Sequence, residues 1–302
     1  MSKGPLVYIV VLSFNGEKWL DGCLSTVSKT KYENFRIIAV DNGSTDESAV
    51  FIQENYPQIK LIRNEKNLGY GEGINTGIRH ALKNHAEYVV VLNQDTKVDP
   101  LWVTEMLKTA YGDKSIGILS PFQYNYDGTA LDENFSKTML KNDLFRKNYH
   151  DHAVSSFYEI NNIVGAALMI TRGCLEKVGL YDPFYFCYGE DRDLYSRAQF
   201  HNYRLAAVRD SKIYHWHGSL EHKKAESPNA RFIRGYLIFC LKDLNRVFLG
   251  NLMRCIKTTL SLMKKYGPRH FFKILVVQLQ VLCYLPLILI KRSKEKKEAC
   301  YL

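Results

Sequence analysis

The stretch Tyr88-Val-Val-Val-Leu-Asn-Gln-Asp95-Thr-Lys-Val-Asp99 decides the fold of this chain. Its first five residues are apolar or aromatic, which is typical of a strand buried on both faces of a parallel sheet. Asn93, Gln94 and Asp95 follow at once, at the carboxyl edge of the sheet, where open α/β folds bind their ligands. A carboxylate beside an amide and a hydroxyl suits Mg²⁺ or Mn²⁺. A loop-capping role for Asp95 explains the same residues without a metal.

The residues before this strand repeat the same pattern. Apolar segments alternate with helical spacing, which predicts a parallel sheet within a single α/β domain. Leu6–Leu12 ends in Ser13 and Asn15, and Phe35–Val40 ends in Asp41. We therefore expect these polar residues to lie on one edge of the sheet together with Asp95.

Asp41 is a candidate contact for a nucleotide base. An acid at the end of the second strand often contacts the ribose or base in nucleotide-binding folds. A carboxylate accepts a hydrogen bond from a ring N–H, which fits uracil, thymine or guanine better than adenine or cytosine. A turn-forming role for Asp41 is an equally good explanation.

A glycine-rich run, Gly69-x-Gly71-x-Gly73, precedes a predicted helix over Ile74–Lys83. Such a run can hold a phosphate at a helix N-terminus, although glycine loops often form only tight turns. Farther along, residues 124–156 show weak periodicity and predict a long loop that faces substrate. The apolar residues 163–171 predict another strand.

Two later motifs carry candidate catalytic and metal-binding groups. Glu190 and Asp191 follow an aromatic run and Gly189, at the start of a predicted helix. They are either helix-start acids, which the helix dipole favours, or a general base whose pKa is raised by burial. His215 and His217 stand two residues apart, so both point to one face if the segment is extended. A histidine at this place is a possible second ligand to a metal held by Asp95.

These motifs, in this order, resemble those of an inverting family 2 glycosyltransferase of the GT-A fold, in its rhamnosyltransferase-like branch. The resemblance covers roughly residues 6 to 225 and implies an α/β, Rossmann-like, mainly parallel sheet flanked by helices. The resemblance implies that Asp41 in VDNGSTD contacts the nucleotide base and that Asn67 and Gly69 in RNEKNLGYGEGINTG lie near the nucleotide. It implies that Asp95 in LNQDT binds the metal and that Asp191 in GEDRDL is the general base. It also implies that His215 in YHWHGS, or His217 in its place, reaches the metal or the diphosphate.

The chemistry implied by the resemblance is a single displacement. A divalent cation, Mn²⁺ or Mg²⁺, holds the diphosphate of a nucleotide-sugar donor on Asp95. Asp191, beside Glu190, takes the proton from an acceptor hydroxyl, which attacks the anomeric carbon with inversion. Asn93 stands where the family usually has a first acid, which lowers the charge of the predicted metal site. The donor implied by the branch is dTDP-rhamnose, with UDP-sugars as alternatives.

The positive charge of the chain is concentrated in its last quarter. The net charge is +10, but fifteen Lys or Arg stand against three Asp or Glu from Arg231 onward. The rest of the chain is slightly acidic, so we do not expect a nucleic-acid binder. The seven cysteines show no CxxC pair, which predicts reduced thiols in a cytosolic setting. The N-terminus has no signal-peptide pattern.

We expect residues 1–225 to form the catalytic domain and 226–302 a basic, helical, membrane-associating extension. Phe271–Ile290 is a twenty-residue apolar run that is weakened by Lys273 and Pro286, and the basic cluster Lys291–Lys297 follows it. Six basic side chains fall within roughly 140° of one helical face; they are Lys242, Arg246, Arg254, Lys257, Lys264 and Lys265. This pattern suits an amphipathic helix, or a hairpin broken near Gly250, and predicts contact with the inner, cytoplasmic face of the membrane and a lipid-linked glycan acceptor. The alternative is a helical dimerisation domain.

Two other functions remain open from the sequence. A sugar-phosphate nucleotidyltransferase also combines a glycine loop with metal-binding acids, but its loop should follow the first strand, where this chain has Ser13-Phe-Asn-Gly16. A catalytically degenerate glycosyltransferase that serves as a membrane scaffold is compatible with Asn93. The preferred interpretation is a hexosyltransferase of cell-surface polysaccharide biosynthesis.

Overall fold

The computed structural model describes residues 4–143, 145–146, 155–216 and 229–302. Within them, nine strands form one sheet that is flanked by helices. The strands are β1 (Val7–Ser13), β2 (Phe35–Asp41), β3 (Lys60–Arg63), β4 (Tyr88–Asn93), β5 (Thr96–Val98), β6 (Ile116–Asn125), β7 (Phe157–Ile160), β8 (Ala167–Thr171) and β9 (Arg204–His215). The helices are α1 (Glu17–Val27), α2 (Ser48–Asn55), α3 (Tyr70–Lys83), α4 (Trp102–Gly112), α5 (Glu133–Leu140), α6 (Arg172–Val178), α7 (Glu190–Phe200), α8 (Ala230–Lys242), α9 (Phe248–Tyr266), α10 (Phe271–Cys283) and α11 (Leu285–Glu295).

The strand order is β3-β2-β1-β4-β8-β6-β9-β5, with β7 paired to β9. The first four strands of this order are mutually parallel. Successive residues of β1 enter opposite hydrophobic clusters: Val10 packs on one face of the sheet and Ile9 on the other. Both faces are covered, which explains why the strands of this half are apolar throughout. The predicted α/β sheet flanked by helices is confirmed.

The second half of the sheet is mixed. β8 runs antiparallel to both β4 and β6, and the long strand β9 is parallel to β6 but antiparallel to β5 and β7. The predicted parallel arrangement therefore holds for the N-terminal half only. Because β5 follows β4 after two residues, the β5–β9 pairing brings the end of β9 to the carboxyl edge of β4.

Several local predictions differ from the structure. Helix α3 begins at Tyr70, so Gly71 and Gly73 lie in its first turn and not in a loop. A Cβ on Gly71 would lie 2.9 Å from the Tyr181 side chain, which explains the small residue by close packing. The stretch 124–156, predicted as a loop, contains the helix Glu133–Leu140.

The C-terminal helices surround a third hydrophobic cluster, which includes Leu237 of α8 and Ile274 of α10. Residues 243–247 separate α8 from α9, so the six basic side chains predicted on one helical face belong to different segments. That prediction is wrong for Lys242, which is fully buried. Among the described helices, none is both long enough and apolar enough to cross a membrane alone. Residues 268–283, which include α10, and α11 reach the necessary length and apolar character only as a pair, and the two are bent by 55° relative to each other.

The end of the chain returns to the sheet domain. The backbone of Leu180 donates to the carbonyl of Cys300 over 2.9 Å, and Arg79 donates to the carbonyl of Tyr301 over 3.0 Å. The predicted boundary near residue 225 falls among residues outside the described part of the chain. The division into a catalytic domain and an extension therefore stays a prediction.

Candidate active site

Three of the predicted site residues meet at the carboxyl edge of the parallel strands. Ser13 of β1 is paired with Asp41 of β2, and Leu12 is paired with Asn93 of β4. The three polar side chains therefore end adjacent strands, as the sequence pattern indicates. The Ser13 hydroxyl is buried and has no hydrogen-bond partner among the described residues.

Asn15 joins the loops that follow β1 and β2. Its amide nitrogen donates to the Ser44 hydroxyl over 3.0 Å, and its side-chain oxygen accepts from the Thr45 amide over 2.9 Å. Its φ of +48° lies in the left-handed region, which asparagine tolerates better than most residues. In this structure Asn15 shapes the edge, and its predicted contact with the donor remains a prediction.

Asp41 is almost completely buried, with 1% of its surface exposed. Its Oδ1 accepts a hydrogen bond from the Ser44 amide over 3.2 Å, and its Oδ2 lies 3.6 Å from Nε of Arg63. The Ser44 contact is of the turn-forming kind that the sequence left open. The predicted base contact stays a prediction.

The residues before α3 satisfy their own amides. Oδ1 of Asn67 accepts from the Gly69 amide over 2.8 Å, and the Tyr70 amide donates to the Phe186 carbonyl over 2.8 Å. Gly69 has φ +86°, and a Cβ there would lie 2.4 Å from the Phe186 carbonyl oxygen. Two backbone amides at the start of the glycine-rich run, those of Gly69 and Tyr70, are thus engaged within the protein. Roles of Asn67 and Gly69 toward the nucleotide remain predictions.

Asp95 and His215 form the candidate metal centre. The β5–β9 ladder pairs Thr96 with His215 and places His215 Nε2 3.3 Å from Asp95 Oδ1. The Trp216 amide donates to the Asp95 carbonyl over 2.9 Å, which fixes the two segments together. Asp95 is 27% exposed, so a ligand can reach it. A carboxylate and an imidazole side by side fit Mn²⁺, which accepts both oxygen and nitrogen donors. His217 lies outside the described residues.

A second acidic group has the geometry of a metal site but not its electrostatics. Oxygens of Asp182, Asp193 and Glu295 approach within 4.8 Å of one another. The ammonium of Lys242 lies 2.9 Å from Asp182 and 2.7 Å from Asp193, and it also contacts Glu295. Lys242 fills the position that a cation would take, so we assign this cluster to structure.

The acid pair lies in the first turn of α7, as the sequence indicates. Gly189, at φ +101°, turns the chain into the helix, and the Glu190 side chain is buried. Asp191 packs against Gly165, where a Cβ would lie 2.1 Å from its Oδ2. The close approach explains why a glycine precedes the apolar strand β8.

Burial raises the pKa of both acids. The pKa of Glu190 rises to about 8, mainly by desolvation and then by the charge of Asp191. Desolvation raises the pKa of Asp191 to about 6, partly offset by the Tyr181 hydroxyl and by the charge of Arg192. Near neutral pH the two carboxyl groups therefore share about one proton, which leaves one carboxylate that can act as a general base.

The sequence analysis missed the tyrosine that connects the two halves of this site. The Tyr70 hydroxyl lies 3.0 Å from Asn93 Oδ1 and 3.1 Å from the Gly165 carbonyl, and it can donate to either. Since Gly165 contacts Asp191, this side chain links the edge near Asp95 to the acid pair. Its only signal in the sequence is its place after Gly69, which does not reveal contacts with residues so distant along the chain.

The sequence of the chain matches a known protein family and several known proteins. The family model described as glycosyl transferase family 2 matches residues 8–179. The chain is 29% identical over 110 residues to an uncharacterised glycosyltransferase of Haemophilus influenzae, a match that covers 35% of this chain and 33% of that protein. It is 23% identical over 215 residues to the N-acetylglucosaminyl-diphospho-decaprenol L-rhamnosyltransferase of Mycobacterium tuberculosis, covering 63% of this chain and 69% of that protein.

Solved structures share the fold. The mannosyltransferase PcManGT from Pyrobaculum calidifontis, solved in complex with GDP-Man and Mn²⁺, superposes with a TM-score of 0.60 at 15% identity. The superposition covers 97% of this chain and 87% of that one. Because the family model spans more than half of the chain, from the first strand to the end of α6, the chain belongs to glycosyl transferase family 2.

Proposed function

We propose that this protein transfers a sugar from a nucleotide-diphosphate donor to a hydroxyl group of a lipid-linked glycan acceptor, with inversion at the anomeric carbon. The observation that carries the proposal is the connection of two sites through Tyr70. Asp95 and His215 stand at the sheet edge beside Asn93, and the Tyr70 hydroxyl bridges Asn93 to the glycine that supports Asp191. A donor at the edge and a base behind it are what a direct displacement requires.

Asp191 acts as the general base in this proposal. Its raised pKa makes it a better proton acceptor than an ordinary carboxylate while it stays largely ionised at pH 7. Glu190, with its higher pKa, stays largely protonated there and does not compete for the proton of the acceptor hydroxyl. The inversion follows from attack opposite the leaving diphosphate, without a covalent enzyme intermediate.

Asp95 and His215 would hold a divalent cation, and Mn²⁺ fits this donor set. When bound, the cation supplies Lewis-acid stabilisation of the leaving diphosphate. Asn93 contributes no charge, and its Oδ1 accepts from Tyr70, so the site carries one carboxylate where two would bind a metal more tightly. PcManGT, which shares the fold, was solved with Mn²⁺ and a nucleotide sugar.

The donor that we propose is dTDP-rhamnose, with UDP-sugars as the next candidates. The similarity to the mycobacterial rhamnosyltransferase supports the sugar and, through its diphospho-decaprenol acceptor, the lipid-linked class of acceptor. Asp41 at the edge, with a carboxylate suited to a ring N–H, supports thymine or uracil. The pathway that we propose is the biosynthesis of a cell-surface polysaccharide.

The test of this function is a panel of sugar nucleotides, measured by thermal shift and donor hydrolysis with Mn²⁺, Mg²⁺ or EDTA. We expect one pyrimidine donor to stabilise the protein in the presence of metal and to be turned over by the wild type but not by Asp191→Asn. The control Asp210→Asn changes an exposed acid on β9 and should behave as the wild type. Absence of binding by every sugar nucleotide would refute the proposal.

We also propose that the C-terminal helices rest on the cytoplasmic face of the membrane. Large apolar side chains are exposed on α9, α10 and α11, among them Leu260, Phe272 and Ile290. The exposed lysines Lys257 and Lys265 both lie on α9. Apolar side chains combined with lysines suit the surface of an anionic bilayer.

Vesicle sedimentation tests the membrane proposal. The double variant Leu260→Gln/Phe272→Gln should bind anionic vesicles more weakly than the wild type, because it removes apolar area that would enter the lipid. Val50→Gln/Tyr111→Gln, which changes exposed apolar residues of α2 and α4, serves as the matched control. If the Leu260 and Phe272 changes leave vesicle binding intact but convert a dimer to a monomer in sedimentation velocity, these helices form a dimer interface instead.

A further inference from the structure

A polar cavity of about 860 Å³ is lined by Arg192, the residue directly after the acid pair, and is not used by the mechanism above. Its walls come from α7, from the segment after β7, and from residues at the junction of α8 and α9. The residues that matter here are Arg192, Tyr195, Asn161, Asn162, Arg246 and Arg254.

The cavity carries excess positive charge. Four arginines line it, against the two carboxylates of Glu159 and Asp243. Arg246 and Arg254 share Asp243, at 3.6 Å and 3.0 Å from its Oδ2, so one carboxylate balances two guanidinium groups. An anion entering this space finds donors that are already fixed in place.

Arg192 is the least compensated of these cations. Its guanidinium lies 5.0 Å from the centroid of the Tyr236 ring, a cation–π contact that orients it without neutralising it. In the described part of the chain, it makes no ion pair with a carboxylate at hydrogen-bonding distance. A planar guanidinium held in this way can donate two parallel hydrogen bonds to a phosphate.

Neighbours of Asp191 line the cavity, although Asp191 itself does not. Arg192 follows Asp191 directly, and Asn161 and Asn162 belong to the short segment that leads to Gly165, against which Asp191 packs. Tyr195 lines the cavity, while the pKa of its hydroxyl is raised by burial and then by the charge of Asp191. A ligand in this space therefore contacts side chains that are neighbours of Asp191, the proposed proton acceptor.

We propose that this cavity binds the phosphate or diphosphate group of the acceptor substrate, and so directs the adjoining sugar hydroxyl toward Asp191. The inference rests on the proposed function and adds to it a site for an anionic acceptor. The guanidinium groups of Arg192 and Arg246 bind the phosphate oxygens, and the amides of Asn161 and Asn162 suit sugar hydroxyls. The chemistry is shared by a lipid-linked diphosphate and by a phosphate-containing polymer.

The binding test uses the full chain in EDTA with farnesyl diphosphate, farnesol and glycerol 3-phosphate as probes, measured by calorimetry. We expect farnesyl diphosphate to bind the wild type, and Arg192→Gln/Arg246→Gln to weaken it by about tenfold to a hundredfold, since hydrogen bonds to charged groups are lost. Arg36→Gln/Arg209→Gln removes the same charge outside the cavity and should bind as the wild type. Arg192→Lys, which keeps the charge, should recover part of the affinity.

The outcomes separate the two sources and the competing explanations. Binding of glycerol 3-phosphate that depends on Arg192 and Arg246 supports the site and favours a phosphate-containing polymer as its ligand. Equal affinity for farnesol and farnesyl diphosphate, or equal affinity of the wild type and Arg192→Gln/Arg246→Gln, overturns the proposal.

A kinetic test separates this inference from the proposed function. Once an acceptor has been identified, Arg192→Gln/Arg246→Gln should raise the KM for the acceptor while the donor-induced thermal shift stays unchanged. If the wild type binds no sugar nucleotide, the glycosyltransferase proposal is refuted. The affinities for farnesyl diphosphate and glycerol 3-phosphate still test whether the cavity binds phosphate. An unchanged acceptor KM in the double variant refutes the cavity proposal alone.

Discussion

The ammonium of Lys242 lies 2.7 Å from Oδ1 of Asp193, two residues after Asp191 on the same helix. Lys242 also pairs with Asp182 and Glu295, and all four side chains are buried. The last residue of α8 is thereby joined to α7, which carries the acid pair, and to the end of α11. The C-terminal helices thus help to hold the helix that carries the acid pair in place.

Replacing Lys242 with methionine should destabilise the protein severely. The change keeps most of the length of the side chain but removes the cation that three buried carboxylates share. Asp193 keeps Arg197 and Asp182 keeps Lys291, whereas Glu295 loses its ion pair with Lys242. Breaking a buried pair costs about 3–5 kcal/mol. Urea unfolding should show the loss as a lower midpoint. Lys257→Met, on the exposed side of α9, is the matched control and should change the free energy of unfolding by less than about 0.5 kcal/mol. Equal midpoints for Lys242→Met and Lys257→Met would show that the buried cluster contributes nothing.

The position of Lys242 marks a limit of the sequence analysis. Helical periodicity places Lys242 on a basic face with Lys257 and Lys265, on one helix or on a hairpin broken near Gly250. The chain breaks at residues 243–247, and the acids that neutralise Lys242 stand 49 to 60 residues away in sequence. Periodicity reports which residues share a face, but not which distant partner covers that face.

Gly165→Ala should impair sugar transfer while leaving nucleotide binding intact. An added Cβ would lie 2.1 Å from Asp191 Oδ2, so the carboxylate has to move away from its position. A displacement of about 1 Å in a catalytic group can cost 10²-fold in rate. The thermal shift that the donor induces should match that of the wild type, because Gly165 contacts Asp191, the proposed general base, and is not a predicted donor-binding residue.

Gly112→Ala is the control for that substitution. A Cβ on Gly112 meets nothing within 4 Å, and alanine in a helix is favoured over glycine by up to about 1 kcal/mol. This variant should be fully active and slightly more stable. A Gly165→Ala enzyme with the activity of Gly112→Ala would mean that the position of Asp191 is not critical for transfer.

Tyr70→Phe should reduce kcat more than it raises the KM for the donor. The hydroxyl contacts Asn93 Oδ1 and the Gly165 carbonyl, so its removal uncouples the sheet edge from the segment that supports Asp191. A lost buried hydrogen bond costs about 0.5–1.5 kcal/mol, or up to roughly tenfold in rate if it is felt only in the transition state. Steady-state kinetics with Tyr111→Phe as the exposed control checks this. A larger effect on donor KM than on kcat would assign Tyr70 to binding instead.

The site shows what a strand pattern predicts and what it does not. Ser13, Asp41 and Asn93 were placed on one edge correctly, because parallel strands of known direction share their carboxyl ends. The contact between Asp95 and His215 depends on antiparallel pairing of β5 with β9, which no local pattern indicates. The order of the motifs in the resemblance predicts that His215 lies near the metal site. The resemblance gives no role to Tyr70, so its contacts were not predicted.

Glu190→Gln should make the protein more stable at alkaline pH. The pKa of Glu190 is raised to about 8 in the folded protein, above its ordinary value of about 4.3. Between these two values the folded state holds a proton that the unfolded state has released, so stability falls as the pH rises. The neutral glutamine removes this loss. Its midpoint in urea should exceed that of the wild type by more at pH 8 than at pH 4.5. The exposed Glu47→Gln serves as control, and an identical pH dependence of wild type and Glu190→Gln would contradict the burial argument.

The rate of sugar transfer should rise with pH through about 6, as Asp191 loses its proton. Desolvation raises the pKa of this carboxyl to about 6, and only its ionised form accepts the proton of the acceptor hydroxyl. Asp191→Asn should lower kcat by about 10²–10⁴-fold and abolish the rise. This prediction is tested by the pH profile of kcat/KM for the wild type, for Asp191→Asn and for the exposed control Asp210→Asn. An active Asp191→Asn enzyme would move the base to Glu190, since Asp193 is already engaged by Arg197 and Lys242.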